Sequence, residues 1–447
     1  MSTDSDAIIN EKSTLGIIGM SPGHVALLNY YICMEVNRQK RILDQDHPEV
    51  LAIGLPTSDL KMLKSAAELC RDFGCDVIAI AESVPADTLQ ASFRYLGLPT
   101  FAVTQYADDL RTLAVTLVEE MYRPRKTLRP CTNFISREET SGALKKDCND
   151  RSARMKQQYR RGGYPLIDKM YSKKFVGVLG GAGPLASAAF CQKCADFGVP
   201  FVLYSNTNAP SKHNFEMGVG PDYRGHYQNA CDFFSKINPA AFVITCNTAH
   251  KRLGSYLDGF RRLQMVFVDI RGPTLEDSVS RHGSEFILLG TNRTTGVGLE
   301  NGEIGIFEEF KTFHNLAIEL YCCSAEQQEI INSAIRDVKA GRLRSENAFP
   351  QVQEESSELP NLDHNDTERS TSMQLAVEPT VDVKFGAREK ILKVVGELRT
   401  LYGHKPVVLA CTELPLPFSM MELSHLDFID PGQCLCEKVR EKLFNAL

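Results

Sequence analysis

Short apolar runs alternate with helix-length stretches through most of this chain. Between residues 15 and 121 the runs are LGIIGM, EVLAIGL, DVIAIA and PTFAV, and from residue 175 they are FVGVLGG, PFVLYSN, AFVITCN, MVFVDI, EFILLGT, IELYCC and PVVLACT. Continuous apolar runs of this length are typical of strands that helices cover on both faces. The pattern predicts an α/β fold with parallel sheets, made of an N-terminal lobe and two further lobes.

Two stretches interrupt the alternation. Residues 122–174 are rich in arginine and lysine, which indicates a basic linker or wrapping arm. Residues 342–383 include QVQEESSELPNLDHNDTERSTS, which predicts a disordered acidic surface insert and leaves a phosphorylation or docking role open. The predicted domains are therefore 1–121, then lobe 1 (175–270 and 418–447) and lobe 2 (271–417).

The N-terminal lobe repeats the sequence of lobe 1. Residues 76–103 align without a gap with residues 241–268, and LGIIGMSPGHVA resembles VGVLGGAGPLAS. The polar and reactive positions of lobe 1 are changed in the repeat: Ala81 for Cys246, Glu82 for Asn247 and Pro85 for His250. We therefore predict a degenerate, non-catalytic copy that packs on the rest of the chain, with an independent tethered domain as the alternative.

Composition limits the partners that this chain can have. The 447 residues carry a formal net charge of -6, which gives no reason to expect nucleic acid or an anionic membrane as a partner. The first residues are polar and acidic without a leader-like apolar run, and no stretch reaches the roughly 18 apolar residues of a membrane span. We expect a cytoplasmic protein that binds a small molecule.

The 14 cysteines are scattered and are expected to be reduced. Cys191 and Cys194 form a C-x-x-C motif that would suit a redox pair or half of a zinc site. Only the distant C-x-C of Cys434 and Cys436 could complete that site. Packing as small apolar side chains is the favoured interpretation, and no metal is expected.

The first candidate for ligand binding is a glycine-rich turn. VGVLGGAGPLAS predicts a strand, a turn containing Gly180, Gly181 and Gly183, and then a helix. The free N–H groups and the dipole at such a helix start favour a carboxylate or phosphate. The spacing does not match the dinucleotide-binding or phosphate-loop motifs, so the motif alone is a weak signal.

Two cysteines end apolar strands at the edge where ligands bind in α/β sheets. Cys246 ends FVITC and Cys411 ends VVLAC, and polar residues follow each of them: Asn247 and Thr248 after the first, Thr412 and Glu413 after the second. Two thiols suit the inversion of a carbon that bears a hydrogen, because one base must remove a proton from one face while an acid supplies one to the other.

The protonation states follow from ordinary thiol chemistry. The reference pKa of cysteine is about 8.5 and hydrogen-bond donors lower it, so a thiolate and a thiol are expected together near neutral pH. Asn247, Thr248 and Thr412 are candidate donors to the thiolate or to the negative charge that develops on the substrate. A disulfide between the two cysteines is the rival chemistry.

The motifs GVLGGAGP, CNTAH, LLGTNRTT and CTELPLP, in this order, resemble the aspartate/glutamate racemase superfamily, and most closely its PLP-independent aspartate racemase branch. The resemblance covers nearly all of residues 175–447. It implies two pseudo-symmetric lobes with a cleft between them, and racemisation of aspartate or glutamate without a cofactor. It makes Cys246 and Cys411 the two bases.

The resemblance also implies roles for further residues. Asn247, Thr248 and Thr412 become ligands of the substrate carboxylate, Thr291 becomes part of the wall of the second lobe, and Glu413 and His250 take supporting roles. Gly181, from the glycine-rich turn, is a further substrate-binding candidate. Where aspartate racemases carry an arginine, this chain offers Lys212, which keeps the charge and loses the guanidinium fork. Lys339 matches a lysine that the family places before the insert.

Two other classes of function stay open. One is another carbon-acid enzyme of the same superfamily, such as a maleate isomerase, a hydantoin racemase or a decarboxylase, although those branches differ at the cysteine motifs. The other is a catalytically silent amino-acid-binding protein. The choice between aspartate and glutamate, and homodimer formation, are also left open.

Overall fold

The computed structural model describes residues 14–38, 47–54, 60–82, 93, 96, 98, 100–102, 110–122, 174–180, 184–205, 223–247, 249–250, 263, 266–299, 303–344 and 386–444. The N-terminal region contains β1 (Thr14–Gly19), α1 (Pro22–Arg38), β2 (Glu49–Gly54), α2 (Leu60–Phe73), β3 (Val77–Ile80), β4 (Thr100–Ala102) and α3 (Leu110–Tyr122). The middle region contains β5 (Val176–Leu179), α4 (Pro184–Asp196), β6 (Phe201–Ser205), α5 (Tyr223–Ile237) and β7 (Ala241–Ile244).

The last region contains α6 (Arg271–His282), β8 (Glu285–Leu289), α7 (Asn292–Thr295), α8 (Ile306–Phe313), β9 (Glu319–Tyr321), α9 (Ala325–Lys339), α10 (Ala387–Tyr402), β10 (Val407–Leu409), α11 (Met420–His425), β11 (Phe428–Ile429) and α12 (Pro431–Phe444). Strands β1, β2, β5, β6 and β7 are buried at every residue, because helices cover both faces of their sheet. The α/β prediction is confirmed.

A seven-stranded sheet joins the N-terminal and middle regions in the order β4-β3-β1-β2-β6-β5-β7. Its strands are parallel within each half, and the halves meet where β2 and β6 pair antiparallel. The order β3-β1-β2 is thus mirrored by β7-β5-β6, and α1 packs on α4 across the middle. The two halves therefore have matching strand orders on either side of an antiparallel pair.

We call the β2–β6 pairing the seam. It places Val50 opposite Ser205 and Gly54 opposite Phe201. The buried Glu49 carboxylate accepts a hydrogen bond from the Tyr204 hydroxyl across the seam. A Cβ atom at Gly54 would lie 2.9 Å from the Phe201 ring, so close packing at this point requires glycine.

The last region forms a four-stranded parallel sheet in the order β11-β10-β8-β9. Sequence analysis predicted no strand at β11, because two residues are too short to show a period. It predicted a full strand at MVFVDI, and this was wrong: Phe267 makes only an isolated bridge to Phe242 before the chain crosses to α6.

The predicted basic linker and acidic insert lie almost entirely outside the described residues. Within the described ranges, no helix has the length and apolar character needed to cross a membrane.

Candidate active site

The ends of β7 and β10, which belong to different sheets, meet through two reciprocal hydrogen bonds. Asn247 Nδ2 donates to the Ala410 carbonyl at 2.7 Å, and Thr412 Oγ1 donates to the Thr245 carbonyl at 3.4 Å. Asn247 directly follows Cys246 and bonds the residue before Cys411, while Thr412 directly follows Cys411 and bonds the residue before Cys246. We call this pair of bonds the clasp. It brings the segments that carry Cys246 and Cys411 together.

Cys411 is buried, with 8% of its surface exposed. Its thiol donates to Glu413 Oε2 at 3.0 Å. The same oxygen lies 3.2 Å from Thr412 Oγ1 and competes with the Thr245 carbonyl for the single proton of that hydroxyl. Burial raises the pKa of Cys411 well above its ordinary value, the charge of Glu413 raises it further, and Lys339 opposes the shift. Sequence analysis expected one thiolate and one thiol without saying which cysteine is which, and the raised pKa makes Cys411 the thiol of the pair.

Cys246 is 9% exposed and follows β7. Its backbone carbonyl accepts a hydrogen bond from Nδ1 of His250 at 2.8 Å. The side chain of His250 is fully buried. His250 thus supports the turn that carries Cys246 and contacts its backbone.

Among the described residues, only one half of the Asn247 amide has a hydrogen-bond partner. The side chain is 3% exposed, its Nδ2 is bonded to the Ala410 carbonyl, and its Oδ1 has no hydrogen-bond partner within the described residues. A flipped amide would set two oxygens against each other, so the bond to Ala410 fixes the orientation. A buried acceptor of this kind favours a ligand that donates a hydrogen bond.

Thr291 and Lys339 approach the same region from the four-stranded sheet. Thr291 follows β8, which pairs with β10 through Leu289 and Leu409. The Thr291 hydroxyl is bonded to the Thr294 hydroxyl at 3.0 Å. Lys339 ends α9, and its charge acts on Cys411. Thr291 is therefore near the end of β10, and Lys339 opposes the rise in the Cys411 pKa by its charge.

Three of the candidate residues, Gly181, Thr248 and Lys212, lie outside the described residues, as does Pro85 of the repeat. Gly180, at the start of the glycine turn, is described. A Cβ atom there would lie 2.9 Å from Ser187 Oγ and 3.0 Å from Ser205 Cα, so close packing alone accounts for this glycine.

In the N-terminal copy, Glu82 stands at the position of Asn247 and its carboxylate contacts residues of the same copy. Glu82 Oε1 accepts the backbone N–H of Ser21 at 2.7 Å, and Glu82 Oε2 lies 3.0 Å from His24 Nδ1. The carboxylate therefore binds the turn before α1, and Ala81 stands beside it without a thiol.

The C-x-x-C motif lies in the core. Cys194 and Cys436 are fully buried with their sulfur atoms 3.7 Å apart, between α4 and α12. In the described part of the chain, no group of three His, Cys, Asp or Glu side chains could hold a metal ion. The contact suits the interpretation of these cysteines as apolar packing residues.

Sequence analysis missed two charged residues near Cys246, namely Asp269 and Arg271. Asp269 lies 3.7 Å from His250 and binds Arg271 through its carboxylate. The signal was present in the sequence, because Asp269 directly follows the apolar run MVFV and Arg271 comes two residues later.

No family model matches the chain. Among solved structures, the aspartate racemase of Picrophilus torridus is similar at 20% sequence identity and a TM-score of 0.41, covering 60% of this chain and 94% of that one. An aspartate racemase homologue from Pyrococcus horikoshii is similar at 19% identity and a TM-score of 0.40, covering 60% of this chain and 98% of that one. Similarities of this size assign neither function nor site residues.

Proposed function

We propose that this protein is an amino-acid racemase that needs no PLP, acts on aspartate or glutamate, and uses Cys246 and Cys411 as its two bases. The observation that supports this most directly is the clasp, in which the segments carrying two cysteines from different sheets are held together by Asn247 and Thr412. The cysteine motifs and their resemblance to aspartate racemases support the choice of substrate.

In the proposed reaction, the Cys246 thiolate removes the proton from the α carbon and becomes a thiol. The electron pair of the broken C–H bond spreads into the substrate carboxylate. The Cys411 thiol then gives its proton to the opposite face of that carbon and becomes a thiolate. The reverse direction exchanges the two roles. Because Glu413 and burial raise the pKa of Cys411, this residue is protonated before the forward step and strongly basic in the reverse one.

Substrate recognition follows from the groups that the clasp leaves available. Asn247 Oδ1 is an acceptor, which suits the α-ammonium group better than the carboxylate that the family resemblance assigned to it. Lys339 suits a carboxylate by charge. We retain Thr248, Thr291, Gly181 and Lys212 in the proposal as further substrate ligands.

The test is to incubate the purified protein with single L-amino acids in deuterated water without PLP, following loss of the α-proton signal and appearance of the D-enantiomer. Cys246→Ser and Cys411→Ser should each abolish racemisation, because an alcohol is a far weaker acid than a thiol. The matched control is Cys322→Ser, at a partly exposed cysteine that bonds the Thr295 carbonyl, and it should stay active.

Near-normal turnover in both directions by either active-site variant would contradict the two-base assignment. Saturable amino-acid binding without deuterium exchange in the wild-type protein would instead indicate a silent binding protein.

A further inference from the structure

A buried pair of hydroxyl groups lies behind the strand end that carries Cys246. Ser187, in the first turn of α4, and Thr245, the residue directly before Cys246, place their hydroxyl oxygens 2.9 Å apart. Both side chains are buried. The proposed proton transfers use neither hydroxyl. Because polar groups are costly to bury, this pair needs another reason to be there.

The hydrogen bonds around Thr245 fix its orientation. Its backbone N–H donates to the Leu179 carbonyl at 3.1 Å, and its hydroxyl lies 3.4 Å from the same oxygen. A hydroxyl has one proton, so both side-chain contacts are satisfied when Ser187 donates to Thr245 and Thr245 donates to Leu179. The Thr245 carbonyl also belongs to the clasp, 3.4 Å from Thr412 Oγ1. Ser187 therefore ties α4 to the backbone that leads into Cys246.

The hydroxyl pair and the thiol lie on different faces of the strand end. Side chains alternate between the two faces of a strand. Thr245 contacts α4, whereas its neighbours Ile244 and Cys246 pack in the apolar cluster that contains Phe242. An effect of Ser187 on Cys246 is therefore transmitted through Thr245.

On the helix side, the N-terminal copy makes the same close contact with an apolar side chain. A Cβ atom at Gly180 would lie 2.9 Å from Ser187 Oγ. At Gly19, the matching glycine of the copy, a Cβ atom would lie 2.7 Å from Val25 Cγ2. Val25 lies on α1 and is fully buried. The copy therefore packs its first helix against its glycine without a hydroxyl.

The strand side shows the same replacement. Where β7 is followed by Thr245, β3 ends at Ile80 and is followed by Ala81, and both of these are buried apolar residues. The apolar version of this contact thus folds in the lobe that has lost the cysteine motif. A hydrogen bond has a preferred distance and direction, whereas apolar burial is non-directional. The hydroxyl pair therefore adds positional control that folding alone does not require.

We propose that Ser187 is a positioning residue for Cys246, acting through its hydrogen bond to Thr245 to fix the strand end at the clasp. The inference rests on the proposed function for its catalytic consequence. In a two-base reaction both sulfur atoms must reach one carbon from opposite faces, and a misplacement of about 1 Å can cost roughly 100-fold in rate.

The experiment compares Ser187→Ala, Thr245→Val and the double variant in the full-length chain. Thr245→Ser keeps the hydroxyl and tests for rescue. Ser278→Ala is the matched control, because Ser278 is equally buried and its hydroxyl bonds the Thr274 carbonyl within α6. Three readouts are taken: the melting temperature, the alkylation rate of Cys246 against Cys411 by mass spectrometry, and kcat and KM for racemisation.

Each single variant should melt at a lower temperature than the wild type, because it breaks the buried bond on one side only. The double variant should recover most of that loss, since two apolar groups then meet as they do in the N-terminal copy. In all three, Cys246 should alkylate several-fold faster while the rate at Cys411 is unchanged, and kcat should fall roughly tenfold with little change in KM. Thr245→Ser and Ser278→Ala should alkylate at the wild-type rate.

A double variant that regained wild-type alkylation and kcat together with its melting temperature would show that the pair serves only the fold, and would overturn the inference. Unchanged alkylation of Cys246 in the two single variants would overturn it as well. Because alkylation needs no turnover, a protein that racemises nothing would contradict the proposed function and still decide whether Ser187 positions Cys246.

Discussion

Glu413 makes two contacts that set the protonation of the residue beside it. Its Oε2 accepts from the Cys411 thiol and lies 3.2 Å from the Thr412 hydroxyl, and its charge helps to raise the pKa of Cys411. Glu413→Gln should therefore lower that pKa, because it removes a like charge beside the thiolate. The part of the pH profile of kcat/KM that Cys411 controls should move to lower pH in both reaction directions.

The direct measurement is the pH dependence of Cys411 alkylation, which tracks the thiolate. Glu397→Gln is a suitable control. Glu397, on α10, accepts a hydrogen bond from Gln327 on α9 and has no hydrogen bond to Cys411. An unchanged or raised pKa in Glu413→Gln would contradict the role given to this carboxylate.

At this scale the sequence predicts Cys246 and Cys411 as site residues, because a polar motif at the end of an apolar strand is a local signal, and their catalytic role stays a prediction. It did not indicate the direction of the Cys411 pKa shift, which depends on burial and on the position of the Glu413 carboxylate. Nor did it indicate that Asn247 Nδ2 bonds the Ala410 carbonyl, a contact between residues far apart in the chain.

The clasp acts between the ends of two strands, so its two bonds should be coupled. Asn247→Ala and Thr412→Val should each destabilise the fold by about 1–3 kcal/mol, because each leaves a carbonyl without its donor. Once one bond is lost, the strand ends are held less firmly and the second bond is worth less. The double variant should therefore cost less than the sum, with a coupling of about 0.5 kcal/mol or more.

The measurement is a double-mutant cycle by denaturant unfolding. Thr412→Val combined with Thr400→Val supplies the control cycle, since the Thr400 hydroxyl bonds the Gly396 carbonyl within α10. That pair should be additive. Additivity of Asn247→Ala and Thr412→Val as well would mean that the two bonds act independently.

Most of the strands could be predicted because each is a continuous buried run between helices. The failures were at β11, which has two residues, and at MVFVDI, where only Phe267 pairs before the chain turns into α6. A strand's extent depends on the neighbour that it pairs with, and that neighbour is not encoded within the run itself.

In the whole molecule, the seam joins the two copies into one sheet. The backbone of Gly54 packs closely against the Phe201 ring across it. Gly54→Ala would bring a Cβ atom to 2.9 Å from the Phe201 ring and 3.0 Å from the Pro22 backbone. We expect a loss of about 1–3 kcal/mol in the free energy of unfolding from this overpacking. Calorimetry of the full chain should show the lower melting temperature.

The same substitution at Gly396 serves as the comparison, because a Cβ atom there has no neighbour within 4 Å among the described atoms. Gly396→Ala lies within α10 and should stabilise the protein by up to about 1 kcal/mol through helix propensity. If both alanine variants melted like the wild type, the seam would contribute nothing to stability.

The sequence predicted the repeat, and the changes at Ala81 and Glu82 predicted that it is not catalytic. It also predicted that the repeat packs on the rest of the chain, with a tethered domain as the alternative, but it did not predict one continuous sheet. A repeat encodes two similar lobes, while their antiparallel joining depends on which edges face each other and on the register of β2 against β6.

The seam also has a consequence for synthesis on the ribosome. β2 is complete at Gly54, but its partner β6 starts only at Phe201. At about 5–20 residues per second, the interval between them is roughly 7 to 30 seconds, and during it β2 is an open edge that can template pairing with another chain. On a polysome the nearest such edge is the β2 of the neighbouring nascent chain. Translation speed therefore helps to decide whether β2 pairs within its own chain or with a neighbour.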